Sequence, residues 1–563
     1  MSANTSPLVI LKFGSSVLRT QHDLPFAVHE IHRHVRAGAR VVAVTSAFAG
    51  RTDSLLLEAK SYGDDVSDEA IAAFVALGEA ESTALLALAL ERAGIRSTQL
   101  GASTLGVRVD GASLDARVSS VCELALRAGL DRADVVVVPG FVGADALGRV
   151  GLLGRGGSDL TAVLLADALA ARCVLVKDVD GLHEPGDRSR RFRSITYRDA
   201  IAVGARAFQA TALEVARTRG IVVDVRRGLD DGGTRVGAEE TRLSPCVARN
   251  PVRVALLGLG VVGRGVYERI RALDDRFELV GAAVRDVERH VATGIDRGWL
   301  STDARAIARS ADLVIELIGG IEPARAIAAE TLRAGRAFIT ANKTLVARHG
   351  ACLGAIAEAS GATFRFGASV GGVAPCIELV ERVARRERIV ALEGVVNGTT
   401  NFVLDLVREG APFHAAVVEA QRRGYAERDP SADLDGVDAA DKLRILCRSA
   451  FGREPDSLRA CGIRDAARRD GCVRLVARAT LRDHRIEASV GPEPLPPSHA
   501  LASVRGSWNR IVVRTESGAT HVAEGRGAGR WPTAEAVIAD ALDAARTLRS
   551  SAEVGEVVAE VVA

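Results

Sequence analysis

Short apolar runs alternate with longer stretches of helical periodicity from the start of the chain. Residues 8–13 (LVILKF), 40–45 (RVVAVT), 134–138 (DVVVV) and 173–176 (CVLV) have the length and branched content of buried strands. Ala- and Leu-rich segments such as 69–93 and 158–171 predict helices around them. Repetition of this kind predicts an α/β domain with a largely parallel sheet. A polar, Gly-rich passage at 228–250 interrupts the pattern and predicts a linker. A second α/β pattern starts at 252 with VRVALLGLGVVG. Around 380–410 strand-like ERIVALEGVVNG and a helix predict a separate substrate-binding region. GPEPLPPSH (491–499) reads as a loop, and AEAVIADALDAARTL (534–548) as a closing helix.

Composition narrows the class. A chain of 563 residues predicts two to four domains. With 48% hydrophobic and 26% charged residues it has the balance of a soluble globular protein. The formal net charge is +2 and basic residues are spread along the chain, which argues against a nucleic-acid partner. No apolar run nears the ~20 residues of a membrane span, and no secretory signal is evident. Eight cysteines without CxxC or zinc-like spacing read as small buried hydrophobes in a reducing cytoplasm. Only five of the 73 basic residues are lysines: 12, 60, 177, 343 and 442. Where guanidinium is so favoured, a retained amine marks a place where a planar, non-titrating group cannot serve.

In the second half, GLGVVG (258–263) follows an apolar strand and opens a helix, the context of a dinucleotide fingerprint. Gly258 permits the tight turn, Gly260 lets pyrophosphate approach, and Gly263 allows close helix packing. The next strand ends in Arg285, where an acidic residue would bind the ribose of NAD and an arginine accommodates a 2′-phosphate. That points to NADP, with NAD as the alternative and a plain surface arginine as the bland reading. GYAERDPSADLDGVDAADK (424–442) is rich in acids, including Glu427, Asp429, Asp433, Asp435 and Asp438. Asp438 and Lys442 are four apart and share one face of a helix, as a surface ion pair or a proton-handling pair. NKTLVA (342–347) adds a lysine, and EGVVNGTTNFVL (393–404) a polar turn with Asn397, Thr399 and Thr400.

Together with GRGAGRWPTAEAV (525–537), these strings resemble homoserine dehydrogenase from about 252 onward. The resemblance implies that Glu427 and Asp433 hold the amino acid's ammonium group. It places Asp438, Lys442 and Lys343 around the reacting oxygen, with one lysine relaying the proton. Gly258, Gly260, Val261, Val262, Gly263, Arg285, Asn342 and Gly529 would contact the nucleotide. It also implies a monovalent cation, such as sodium, held by the backbone carbonyls of Gly367, Val370, Gly372 and Ala374. Gly367 stands where Glu is common, and Val373 where Gly is common.

In the first half, KFGSS (12–16), TSAFAGRTD (45–53), LGEAEST (77–83), GLLGRGGSDLTAVLLADAL (151–169) and KDVDGL (177–182) occur in order. Small residues at strand ends let amides approach phosphate, and a lysine offsets charge on a transferring phosphoryl. The set resembles aspartokinase, of the amino-acid kinase superfamily, over about 8–240. The resemblance implies that Lys12 stabilises the phosphoryl in transfer from ATP with magnesium to aspartate, and that Asp159 organises the loop. Thr52, Glu79, Arg155 and Ser158 would hold aspartate. Gly14, Ser15, Lys177, Asp178, His183 and Arg188 would lie on the ATP side. There the chain departs from the family: Ser15 replaces Gly, Lys177 replaces Thr, His183 replaces Tyr, and Gly186 replaces Asp. Arg206 replaces a lysine as well. Lys177 is therefore expected to touch nucleotide phosphate or a nearby carboxylate.

The expected architecture is an α/β chain: an amino-acid kinase-like α/β sandwich, then a Rossmann domain with an α+β homoserine dehydrogenase substrate domain. The boundaries expected are 1–240, a linker at 241–251, then 252–380, 381–520 and a segment 521–563 returning to the nucleotide-binding domain. ACT regulatory modules are not expected between or after the enzymes. Partners are small molecules (aspartate, aspartate semialdehyde and homoserine), and a homodimer or higher homo-oligomer is implied by the family. The competing reading makes the first half a non-catalytic binding or dimerisation module, or a kinase of altered specificity.

Overall fold

The computed structural model describes residues 6–203, 209–246, 250–464 and 471–562, with side chains to 549. Arg206 lies outside them. The chain divides into two units, Met1–Arg249 and Asn250–Ala563.

The N-terminal unit is built on a ten-stranded sheet. At its centre Leu8–Phe13 pairs in parallel with Arg40–Thr45 and with Arg172–Lys177. Arg40–Thr45 continues to Val135–Pro139, and Arg172–Lys177 to Val223–Arg227, again in parallel. Val135–Pro139, Leu8–Phe13 outside Lys12, and the interiors of Arg40–Thr45 and Arg172–Lys177 are apolar and almost wholly buried, as in a sheet covered on both faces, while Val223–Arg227 carries three charged residues. Lys12 and Lys177 are buried lysines near the ends of two of these parallel strands, which point to one edge. The stretch 228–250, expected as a linker, contains strands Thr234–Gly237 and Arg242–Pro245. Both pair with Asp187–Thr196, so the sheet extends almost to the unit boundary. A separate four-stranded sheet (Val107–Ala112, Asp115–Val121, Val142–Ala144, Val150–Leu152) had no counterpart in the sequence reading.

The expected helix at 69–93 is two, Asp68–Val75 and Leu77–Ala93. Together Asp68–Ala93 is long and apolar enough to meet a membrane-span criterion by length and composition, contrary to expectation. Its buried face, with Ala72, Val75, Leu86 and Leu90, packs within the unit, and the carboxyl of Glu79 is buried along it.

In the C-terminal unit, six strands form a parallel sheet in the order Leu300–Ser301, Phe277–Ala283, Val252–Leu257, Leu313–Glu316, Ala337–Thr340, Phe364–Arg365. A second six-stranded sheet centres on Val473–Arg482, Ile389–Val395 and Trp508–Thr515. The last helix, Arg530–Val562, runs back onto the helix Val261–Ala272. Glu535 pairs with buried Arg269 at 3.0 Å, and Glu268 with Arg530 at 2.7 Å. Gly265 permits this approach, since a Cβ there would lie 3.2 Å from that of Ala534.

Candidate functional site

The nucleotide end of the C-terminal unit follows from its glycines. Gly258 has φ +97°, and a Cβ there would sit 2.8 Å from the Leu317 carbonyl. A Cβ on Gly263 would strike the Gly258 carbonyl at 2.0 Å. Gly260, the N-cap of Val261–Ala272, opposes nothing within 4 Å. The helix N-terminus therefore opens onto free space, as a pyrophosphate requires. Val261 is exposed and Val262 half-buried there. Arg285 is exposed just past its strand, while the neighbouring acid, Asp286, is engaged in capping the next helix. Gly529, at φ +119°, leads into the last helix.

Glu316 ends the strand Leu313–Glu316 fully buried. It accepts from the amides of Ile318 (2.8 Å) and Gly319 (3.0 Å) and from Thr340 Oγ1 (2.6 Å). Burial holds its carboxyl above the usual range. Asn342 caps the helix Lys343–Ser360 through the Leu345 amide at 3.1 Å and donates to the Gly320 carbonyl. These contacts fix where Lys343 starts.

Lys343 forms an ion pair with Asp438. Lys442, one turn further along the helix Val437–Phe451, reaches the other oxygen of Asp438 at 2.8 Å. Burial alone would raise the Asp438 pKa, but Lys442 and Lys343 hold it well below the usual carboxylate range. Burial likewise disfavours the Lys343 charge, yet Asp438, Asp433 and Glu427 raise its pKa. Lys442 Nζ also donates to the Val396 carbonyl at 2.7 Å. The next side chain, buried Asn397, donates through its amide to both Asp433 and Asp438, at 2.7 Å each. Its carbonyl oxygen caps the following helix through Thr400 N at 2.8 Å. Asp433 is thus half-buried and oriented, while Glu427 stands exposed at the mouth.

The turn 367–376 is buried. A Cβ on Gly367 would lie 2.5 Å from Glu378 Oε1 and 3.1 Å from Asp540 Oδ1. Two carboxylates therefore approach position 367, where Glu is common in the resembled family. The carbonyl of Gly367 accepts from Val370 N and that of Ala374 from Cys376 N, each with a second lone pair remaining. Carbonyls beside carboxylates suit a hard cation.

The N-terminal unit holds a second cluster. Lys12 Nζ lies 2.7 Å from Asp159 Oδ1, and Lys177 Nζ 3.0 Å from Oδ2. Asp159 belongs to the first turn of Gly157–Leu169, entered through Gly154 and Gly156 at positive φ. Gly14 leaves room for the Lys12 ammonium, which a Cβ would approach to 2.9 Å. Ser158 is packed under Gly140, and Thr45, Ser82 and Thr83 form a buried hydroxyl chain beside Glu79. Burial pushes the Glu79 carboxyl up to about 8 against the opposing pull of Lys12. Thr52 is half-buried, and Arg155, Ser15, Asp178 and Arg188 are exposed. His183 contacts Asp180 Oδ1 through Nε2 at 2.8 Å and the Arg188 carbonyl through Nδ1 at 3.1 Å.

Sequence reasoning missed Glu316, Gly265 and the double role of Asn397. A lone acid ending the apolar run LVIE was the one available signal for Glu316. Nothing local marks Asn397 as a bridge to residues 36 and 41 positions away.

Comparisons with known proteins agree with this division. The amino acid kinase family matches residues 7–227. The NAD binding domain of homoserine dehydrogenase matches 258–367, and homoserine dehydrogenase matches 375–542. A homoserine dehydrogenase of Corynebacterium glutamicum is 37% identical over 321 residues, spanning 52% of this chain and 72% of its own length. One from Bacillus subtilis is 34% identical over 319 residues, spanning 53% and 74%. The crystal structure of a homoserine dehydrogenase from Thiobacillus denitrificans matches with TM-score 0.50 and 35% identity, over 54% of this chain and 74% of that one. The C-terminal unit is a nucleotide-dependent oxidoreductase in class. The chain belongs to the homoserine dehydrogenase family, and its N-terminal unit carries an amino acid kinase domain.

Proposed function

We propose that the C-terminal unit interconverts aspartate semialdehyde and homoserine with NADP, and that the N-terminal unit phosphorylates the side-chain carboxylate of aspartate with MgATP. The observation that carries the first reading is Asp438 held between Lys343 and Lys442, with Asp433 tied to it through Asn397. Asp433 and Glu427 bind the substrate ammonium. A carbonyl becoming an alkoxide needs a cation and a proton source at its oxygen. Lys343 and Lys442 supply both, and Asp438 keeps the two ammonium groups together. Bound nicotinamide supplies or accepts the hydride. Gly258, Gly260 and Gly263 admit its pyrophosphate, and exposed Arg285 takes a 2′-phosphate, which favours NADP. The carbonyls of Gly367, Val370, Gly372 and Ala374, with Glu378 close by, would hold a monovalent cation that stiffens the turn.

The kinase reading rests on buried Lys12 at the Gly-rich helix start, paired with Asp159. Thr52, Glu79, Arg155 and Ser158 hold the acceptor, and Asp178, His183 and Arg188 lie on the nucleotide side. Aspartyl-hydroxamate formation should depend on ATP and disappear in Lys12→Ala. If wild-type protein forms no hydroxamate, the N-terminal unit is a binding module and the kinase reading fails. Homoserine-dependent reduction of NADP tests the other half.

A further inference from the structure

Lys177 ends a buried strand where the aspartokinase resemblance leads one to expect Thr. Its ammonium and that of Lys12 share one carboxylate, and all three residues are less than a tenth exposed. Burying two like charges is costly, and one carboxylate offsets only one of them. The neighbours leave that excess standing. Glu79, which faces Lys12, keeps its proton through neutral pH, and Asp178 acts on Lys177 only from the exposed rim, as the last of the charges that raise its pKa. Burial and the charge of Lys12 bring the Lys177 ammonium down to about 8. An excess positive charge held in this way is suited to an arriving anion.

The loop geometry points the same way. Asp159 stands in the first turn of a 13-residue helix, so the amide end of that helix lies beside both lysines. Space is tight, since even a Cβ on Gly14 would come within 2.9 Å of the Lys12 ammonium. A compact ammonium fits here where a planar guanidinium would displace its neighbour.

Resting on the kinase reading above, we infer that Lys177 and Lys12 form a two-ammonium clamp on the phosphoryl group in transit. Lys177 exchanges Asp159 for a phosphoryl oxygen as the anion enters. In the transfer, the bond from the γ-phosphorus to its bridging oxygen breaks and a bond from the acceptor carboxylate oxygen to phosphorus forms. The bridging oxygen leaves with the nucleoside diphosphate. The lysines neither give nor take a proton; they spread the charge of the phosphoryl in flight.

The test compares wild type, Lys177→Met and Lys177→Thr in the full chain, with thermal midpoint and dehydrogenase rate as controls for folding. Hydroxamate kcat should fall about 100-fold in both variants, with ATP KM changed by less than about threefold. ADP with aluminium fluoride mimics the phosphoryl in flight and should lose about 100-fold in potency against Lys177→Met. A merely structural lysine would leave that potency unchanged, which overturns the inference. So would a kcat within about threefold of wild type in either folded variant. If wild type itself lacks kinase activity, the reading beneath the inference fails and takes the inference with it. An active wild type with indifferent variants sinks the clamp alone.

Discussion

Each unit buries one aspartate between two lysines, and the surroundings give the two clusters opposite character. Around Asp159, among the described residues, Lys12 and Lys177 are opposed by no second buried carboxylate in charged form, because Glu79 is protonated at neutral pH. Around Asp438, Lys343 also feels Asp433 and Glu427, and its pKa rises instead of falling. The buried groups of the first cluster have a positive charge in excess, with Asp178 drawing on Lys177 only from the rim, and this suits the incoming phosphoryl proposed above. With Asp433 and Glu427 counted, the second has a negative charge in excess, which suits the amino-acid ammonium proposed above. On the proposed functions, the same three-residue arrangement would serve two chemistries because the acids around each decide the sign of the field.

The comparison breaks most visibly at Asp438. Lys442→Ala and Asp438→Asn should each lower dehydrogenase kcat on the order of 1,000-fold, with nucleotide affinity retained in a fluorescence titration. Rates near wild type in either would remove that residue from the proton-handling group. Lys343→Ala should behave alike.

Asn397→Ala cuts the amide link between Asp433 and Asp438 and leaves both carboxylates short of a donor. Homoserine KM should rise about tenfold and kcat fall by a similar factor. A change confined to kcat would show that Asn397 orients only the lysine pair.

The opposite sign at Glu79 is testable through stability. Its folded pKa of about 8 lies above the ordinary glutamate value of 4.5, so native protein holds a proton that the unfolded chain releases. Stability from this group is present below 4.5 and is lost as pH rises to about 8. Glu79→Gln removes that loss. Its thermal midpoint should exceed wild type by a few degrees at pH 8, with the gap narrowing towards pH 5. A gap that widens on acidification would mean Glu79 is ionised in the native unit. The smallest effect belongs to exposed Lys60, outside both clusters. Lys60→Arg should leave both activities unchanged, and any loss would end the contrast between clustered and solitary lysines.

Much of this was legible because it is local. GLGVVG after an apolar strand, the i, i+4 spacing of Asp438 and Lys442, and the Gly-rich entry to Asp159 are each readable within one window. The scarcity of lysine singled out Lys177, and the structure gives it a carboxylate partner, 18 residues away. What stayed hidden depends on distant segments meeting. Asn397 needs the acidic helix folded back upon its turn, and Gly265 needs a helix more than 260 residues on. The strands within 228–250 were masked by polar, Gly-rich composition, since each is only four residues long and neither carries a continuous apolar run, although Thr234–Gly237 pairs on both sides within the sheet.

The sparse lysines also make the folded chain a selective target for acylating reagents. Lys60 is the exposed one, Lys343 is partly accessible but engaged, and Lys12, Lys177 and Lys442 are buried. Each lies in a different stretch of sequence, so mass spectrometry of peptides resolves them one by one. Labelling rates with and without each substrate therefore give a separate footprint of each active centre in a single sample.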